Sequence, residues 1–189
     1  MKDEGPRRSI VGRGASGNVP NRFEKISSQT EPGEMDPEKP ETVYLRDHSR
    51  SIIARNDSPD IGFDASINPY RGCSHGCIYC YSRPFHEYLG FSAGLDFESK
   101  ILVKEAAPEL LRKELSSPRW EPKVLSMSGV TDPYQPVEKK LRLTRRCLEV
   151  LVEFRNPVVI VTKNHLVTRD IDLLSELARD GAAAVAVSL

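Results

Sequence analysis

The sequence lacks the features that mark membrane and secreted proteins. It has no apolar run long enough to cross a bilayer, and its first ten residues are polar and charged. It also has no excess of charge, because 27 lysine and arginine residues balance 27 aspartate and glutamate residues. Net charge therefore gives no support for membrane or nucleic-acid binding, although a local basic stripe can bind phosphate in a neutral chain. We expect a cytoplasmic protein without a membrane partner.

Cysteine is scarce, with four residues in the chain, yet three of them lie within eight positions. Thiols stay reduced in the cytosol, so such crowding indicates metal binding or redox chemistry rather than disulfides. The fourth, Cys147, falls in the middle of the apolar face of a predicted helix. We expect Cys147 to be a core residue rather than a ligand.

Apolar residues are few in the first 42 positions, which are rich in glycine, proline, serine, asparagine and charge. Such a segment cannot bury enough surface to offset the entropy lost on ordering. The sequence therefore predicts a disordered arm over residues 1–42 and one folded domain over residues 43–189.

The folded domain alternates apolar strands with amphipathic helices. A hairpin is predicted over residues 42–56. Further strands are predicted over 63–69, 100–104, 123–128, 158–162 and 183–189, and helices over 108–115, 137–154 and 168–180. Strands that are apolar throughout are typical of a parallel sheet of right-handed βαβ units. We predict an α/β fold, a partial (β/α) barrel that is C-terminally truncated, because the last apolar strand has no helix to cover it.

The crowded cysteines lie in the segment R-G-C-S-H-G-C-I-Y-C-Y. Cys73, Cys77 and Cys80 are spaced so that three thiolates can hold one [4Fe–4S] cubane, and the glycines between them allow a tight backbone. Three ligands for four irons leave one iron open, as a substrate-binding cluster requires. Three alternatives remain from the residues alone. They are a zinc site that uses His75, a disulfide with a spare thiol, and chance clustering.

This segment resembles a known family. CSHGCIYC matches the CxxxCxΦC signature of radical S-adenosylmethionine (SAM) enzymes, with Tyr79 as the aromatic residue. The wider context NPYRGCSHGCIYCYSRPFHEYLG, with GLDFE at 94–98 and TDPYQP at 131–136, resembles a narrower group. That group is the bacterial radical SAM proteins related to spore photoproduct lyase, often labelled DNA repair photolyase-like. The resemblance runs from about Arg46 to Leu189, and GRGASGN…NRFE near the N-terminus is similar to the same group.

The resemblance implies a cofactor pair and its chemistry. A [4Fe–4S] cluster on Cys73, Cys77 and Cys80 would bind SAM at its open iron and cleave it reductively. The resulting 5′-deoxyadenosyl radical would abstract a hydrogen atom from the substrate. The implied partners are a flavodoxin- or ferredoxin-like one-electron reductant and a substrate that the sequence does not identify. Nucleic acid is one candidate, because the related lyase repairs DNA.

Residues at the carboxyl ends of the predicted strands become candidate SAM contacts under this resemblance. Asp132, in SGVTD where the family commonly has GGE, is the expected partner of the SAM amino group. Lys163 is expected to pair with the SAM carboxylate, and Tyr79 to lie against adenine. The candidate cofactor-binding residues are Tyr79, Gly129, Thr131, Asp132, Thr162, Lys163 and Ser188, and no catalytic side chain is assigned.

The sequence thus predicts a radical SAM enzyme, with a DNA-repair type of lyase as one candidate activity. Two alternatives stay open. The chain could be a non-catalytic iron–sulfur or zinc-binding module, or an inactive fragment of a longer radical SAM protein.

Overall fold

A computed structural model describes residues 12–23 and 41–188. The chain divides into two compact units. The first, here called the loop unit, comprises Met1–Tyr44 and Gly72–Ile101. The second, the sheet unit, comprises Leu45–Arg71 and Leu102–Leu189. Two strands, β1 (Val43–Arg46) and β5 (Lys100–Val103), carry the chain from one unit to the other.

In its described residues, the loop unit contains a short 3-10 helix, Arg83–Leu89, and helix α1, Leu95–Ser99, and otherwise consists mainly of loops. Its interior is formed around Phe97, which is 1% exposed. The buried His86 ring meets Phe97 edge to face, with 5.6 Å between ring centroids. A unit with so few hydrogen-bonded elements depends on side-chain contacts to hold its loops in place.

Part of the predicted N-terminal arm belongs to this unit. Residues 12–23 make specific polar contacts, such as the paired hydrogen bonds between Asn18 and Asp96 at 2.9 and 3.0 Å. These contacts explain how a segment poor in apolar residues can still dock. Residues 1–11 and 24–40 lie outside the described residues, so the disordered arm stays a prediction.

The sheet unit contains a five-stranded sheet in the order β2-β3-β6-β7-β8. Strand β2 runs antiparallel to β3, and the other neighbours pair in parallel. The strands are β2 Ile53–Arg55, β3 Ala65–Ile67, β6 Leu125–Ser126, β7 Val158–Thr162 and β8 Ala183–Val187. The fold is therefore mixed α/β, as predicted. Over the described residues this sheet ends at β2 and β8, and a barrel is not shown.

A second, smaller sheet has the order β1-β5-β4, with β4 (Tyr70–Arg71) antiparallel to β5. Because β1 belongs to this sheet and β2 pairs with β3 in the other, the predicted hairpin over residues 42–56 is wrong. Each run is β-prone, as predicted, but β1 pairs with β5, and β2 pairs with β3, the next strand along the chain.

Helices α2 (Ala107–Leu115), α4 (Leu143–Phe154) and α5 (Ile171–Arg179) contribute to the core of the sheet unit. Cys147 on α4 is 0% exposed, which confirms its prediction as a core residue. Strand β8 differs from the predicted buried strand, since Val185 and Val187 are 41% and 55% exposed.

The helix predicted over 137–154 is interrupted at Arg142, whose φ of 54° is left-handed. The short helix α3 (Glu138–Leu141) precedes the break. The buried carboxylate of Glu138 accepts the backbone N–H groups of Thr144 and Arg145 in the first turn of α4. Unpaired N–H groups at a helix start need such an acceptor. The capping contact therefore accounts for the turn that the apolar periodicity did not reveal.

None of the helices in the described ranges is both long enough and apolar enough for a membrane span.

Candidate functional site

The cysteine loop, residues 72–81, lies in the loop unit and contains two successive turns. The N–H of Gly76 donates to the carbonyl oxygen of Cys73, and the N–H of Cys80 donates to that of Cys77, both at 3.2 Å. Each bond spans three residues, as in a β-turn. The tight backbone that the sequence predicts for this loop is present.

Gly76 is required at its position in the loop. Its φ of 63° lies in the left-handed region, where side chains other than glycine are strained. An added Cβ would also lie 2.4 Å from Oε2 of Glu98. Both the backbone conformation and the lack of space therefore select glycine between the first two cysteines.

The three loop cysteines are free thiols, with Cys73 buried and Cys77 and Cys80 half-buried. Within residues 12–23 and 41–188, no three His, Cys, Asp or Glu side chains are grouped so that they could hold a metal ion. The donor set still fits an iron–sulfur cluster chemically, because reduced thiols supply the soft thiolate ligands that iron–sulfur clusters use. Their assignment as cluster ligands stays a prediction.

Arg83 ties the cysteine loop to the body of the loop unit. Its Nη2 donates to the carbonyl oxygen of Gly76 at 2.9 Å, and its Nε donates to that of Cys77 at 3.1 Å. The same Nη2 lies 3.0 Å from Oε2 of Glu98. Arg83 was not assigned a role from the sequence, since no local pattern marks a guanidinium that binds backbone carbonyls. The loop is therefore held from the side as well as by its own turns.

Six of the seven candidate cofactor residues lie in the sheet unit, at the carboxyl ends of parallel strands. Gly129, Thr131 and Asp132 follow β6, Thr162 and Lys163 lie at the end of β7, and Ser188 follows β8. Because β6, β7 and β8 run parallel, their carboxyl ends meet at one edge of the sheet. We call the group at this edge the strand-end cluster.

Asp132 is the centre of the strand-end cluster. Its Oδ1 accepts the hydroxyl of Thr162 at 2.7 Å and the N–H of Tyr134 at 2.8 Å. Its Oδ2 accepts the backbone N–H of Lys163 at 2.8 Å. Asp132 thus connects the loop after β6 to the end of β7. The carboxylate has a positioning role in addition to the cofactor contact that the resemblance implies.

Lys163 and Ser188 are also brought together, since Nζ of Lys163 donates to Oγ of Ser188 at 2.9 Å. This bond links the end of β7 to the residue after β8. It holds the Lys163 ammonium against the Ser188 hydroxyl at this edge of the sheet. The structure thus joins these two predicted residues directly.

Asn68 belongs to the same edge but was missed by sequence reasoning. It follows β3 and is 8% exposed, and its Oδ1 accepts the N–H groups of Val130 and Thr131 at 3.1 and 3.3 Å. The Thr131 hydroxyl donates in turn to the carbonyl oxygen of Tyr70 at 3.0 Å. Gly129 packs closely on β3, since an added Cβ would lie 3.0 Å from Cβ of Ser66. The only signal in the sequence was the place of Asn68 directly after a strand.

Tyr79, the remaining candidate, lies on the cysteine loop in the loop unit and is 72% exposed. Its expected contact with adenine stays a prediction.

Comparison with known proteins finds relatives without an assigned function. No protein-family model matches the chain. Uncharacterized proteins of Mycobacterium tuberculosis and Mycobacterium bovis are 41% identical over 127 residues, which is 67% of this chain and 37% of theirs. An uncharacterized protein of Methanocaldococcus jannaschii is 34% identical over 112 residues, 59% of this chain and 40% of its own. The chain thus spans about two fifths of the length of these relatives.

Among solved structures, a spore photoproduct lyase variant with bound AdoMet and dinucleoside spore photoproduct aligns with 86% of this chain and 45% of its own. The sequence identity is 18% and the TM-score is 0.46.

Proposed function

We propose that this chain is the cofactor-binding part of a radical SAM enzyme that acts on a substrate still to be identified. Cys73, Cys77 and Cys80 would hold a [4Fe–4S] cluster, and the strand-end cluster would bind SAM. When bound, these cofactors would supply the reductive cleavage of SAM and the removal of a hydrogen atom from the substrate. We also propose that the fold is a partial (β/α) barrel and that the protein is cytoplasmic. A flavodoxin- or ferredoxin-like protein would be the electron donor.

The observation that carries the proposal is the strand-end cluster. The candidates were selected by their place at the ends of predicted strands, and the structure adds that Asp132, Thr162, Lys163 and Ser188 are linked to one another by hydrogen bonds. Carboxyl ends of parallel strands are also where α/β folds bind their ligands.

Each part of the strand-end cluster would contribute a different function to SAM binding. The Lys163 ammonium, oriented by Ser188, would pair with the SAM carboxylate. Asp132 would offer negative charge to the amino group while it holds the end of β7 in place. Asn68 would fix the chain at Val130 and Thr131, so that the loop after β6 is shaped before any ligand arrives.

The cysteine loop would contribute three thiolates from a backbone that is already bent. Its two turns begin at Cys73 and Cys77. Because binding of a metal usually carries the cost of ordering its site, a loop with preformed turns would bind iron at a smaller entropic cost.

The proposal is tested by SAM cleavage. The purified chain is loaded with iron and sulfide under anaerobic conditions, reduced with dithionite and given SAM, and 5′-deoxyadenosine is measured. We expect product from the parent chain, none from Cys80→Ala, and parent-like iron content from Cys147→Ala, which removes a thiol outside the loop. Full iron loading without 5′-deoxyadenosine would favour a non-catalytic iron–sulfur module. Full iron retention by Cys80→Ala would refute the ligand assignment.

The SAM site is tested separately by binding. Lys163→Met keeps most of the side-chain length and removes the charge, so SAM affinity should fall about tenfold or more, the loss expected for a charge-assisted hydrogen bond. Lys139→Met, at an exposed position on α3, is the matched control and should bind SAM like the parent. Equal SAM affinity of the parent and Lys163→Met would refute the assignment of Lys163 as a SAM contact.

A further inference from the structure

The N-terminal segment Gly12–Phe23 docks on the loop unit through a series of polar contacts. Val19 and Ser92 exchange two hydrogen bonds, at 2.9 and 2.7 Å. The Asn21 side chain donates to the carbonyl oxygens of Glu87 and Phe91. Such reciprocal bonds fix both the position and the register of the segment. It is therefore a structural part of the unit that carries the cysteine loop.

Glu98, which is 1% exposed, accepts further hydrogen bonds from the N-terminal segment. Its Oε1 accepts the N–H of Arg13 at 2.6 Å, and its Oε2 accepts the N–H of Gly14 at 3.0 Å. Oε2 also lies 3.0 Å from Nη2 of Arg83. A buried carboxylate is costly unless it is paired and hydrogen-bonded, and Glu98 meets both conditions by joining two distant segments.

Arg83 extends this connection to the cysteine loop, because the guanidinium that pairs with Glu98 also donates to the carbonyl oxygens of Gly76 and Cys77. The path from the N-terminal backbone to the loop therefore runs through two side chains, Glu98 and Arg83. Both are largely buried, with side chains 2% and 12% exposed, so these contacts are shielded from water.

The segment also touches the loop directly at a glycine. An added Cβ on Gly14 would lie 1.8 Å from the carbonyl oxygen of Gly76, a distance that no side chain can occupy. Gly17, three residues later, has open space at the same position. Gly14 is therefore required for close approach, whereas Gly17 is not constrained in this way.

We propose that residues 12–23 act as a clamp that holds the cysteine loop in its shape before iron binds, with Glu98 as the positioning residue. The clamp fixes the loop backbone from outside, so that the ordering needed when the iron–sulfur cluster assembles is limited mainly to the three cysteine side chains. The expected effect of the clamp on the iron–sulfur cluster rests on the proposed function. Its effect on the loop backbone does not.

The test uses the matched glycine pair and two readouts. Hydrogen exchange is followed by mass spectrometry on the metal-free full chain, and iron content is measured after anaerobic loading. We expect Gly14→Ala and Glu98→Gln to speed exchange in residues 72–81 roughly tenfold, as when one buried donor loses its partner. Both should retain less than about half of the parent's iron, given the ordering that the free loop must then undergo. Gly17→Ala should match the parent in both readouts.

The outcomes separate the clamp from the proposed function. Unchanged exchange of residues 72–81 in Gly14→Ala would overturn the clamp. Faster exchange with parent-like iron content and cluster absorption spectrum would overturn the role of Glu98 in positioning the ligands. A parent chain that binds no iron, with exchange still faster in Gly14→Ala, would overturn the proposed function and leave the clamp in place. Exchange in β7 and β8 should stay unchanged, and this serves as the check that each variant remains folded.

Discussion

Thr162 donates its hydroxyl hydrogen to Oδ1 of Asp132 across 2.7 Å, and this bond joins the end of β7 to the loop after β6. The two residues are 30 positions apart in the sequence, and each is a candidate because it lies at the carboxyl end of a strand. Their contact means that the chemistry of one cannot be changed without affecting the other.

Replacing Asp132 should destabilise the sheet unit. Asp132→Ala leaves the Thr162 hydroxyl and the N–H groups of Lys163 and Tyr134 without their acceptor. A buried donor without a partner costs about 1–3 kcal/mol, so the free energy of unfolding should fall by at least that amount. Urea unfolding followed by the fluorescence of Trp120 measures it. Asp57→Ala, at an exposed loop position, is the control. Equal losses in the two variants would contradict the role assigned to Asp132.

Replacing Glu138 should have a larger effect. Its carboxylate is 0% exposed and accepts hydrogen bonds from the Tyr70 hydroxyl, the Arg169 guanidinium and the start of α4. Removing one partner of a buried ion pair costs about 3–5 kcal/mol, so Glu138→Ala should lower the urea midpoint strongly.

The control for this variant is Glu149→Ala, which removes a carboxylate that is 51% exposed and lies 3.5 Å from the Arg145 guanidinium. Such pairs contribute about 0–1 kcal/mol, so this change should be small. If the two variants unfold at the same urea concentration, Glu138 does not anchor the turn between α3 and α4.

The four cysteines should differ in reactivity in the metal-free chain. Burial raises the pKa of the Cys147 thiol, and the side chain has no access to solvent. Iodoacetamide attacks the thiolate, so Cys77 and Cys80, which are half-buried, should be alkylated at least about tenfold faster than Cys147. Peptide mass spectrometry measures the rates. All four should react alike in denaturant, and fast labelling of Cys147 in the folded chain would contradict its burial.

The loop unit should lose stability in mild acid. Burial of His86 lowers its pKa from its ordinary 6.5 to about 4. Between these values the unfolded chain binds more protons than the folded chain, so stability falls as the pH falls from 6.5 to 4. The shift corresponds to about 3 kcal/mol at most. Calorimetry at pH 7 and pH 5 measures the change.

His86→Gln should weaken this pH dependence, whereas His165→Gln, at an exposed position, should keep it. An identical pH dependence in the parent chain and in His86→Gln would show that another group is responsible.

Much of the sheet unit could be predicted from local patterns. Strand β7 has the predicted bounds, and α2 begins one residue before the predicted helix. These elements follow from the periodicity of apolar residues, which is set by the geometry of strands and helices. The turn at Arg142 could not be predicted in this way, because its cause is a capping contact with a buried carboxylate on the preceding helix.

The types and spacing of the functional residues are a property of the sequence. The three cysteines, the glycine between the first two, and the polar residues after the strands are all visible there, because chemistry of this kind requires particular side chains at short intervals. The contacts that hold them depend on tertiary structure. Glu98 binds Arg13 from 85 positions away, and Asn68 binds Val130 from 62 positions away. No local pattern encodes such pairs, since they form only where the fold excludes water and a buried polar group must find a partner.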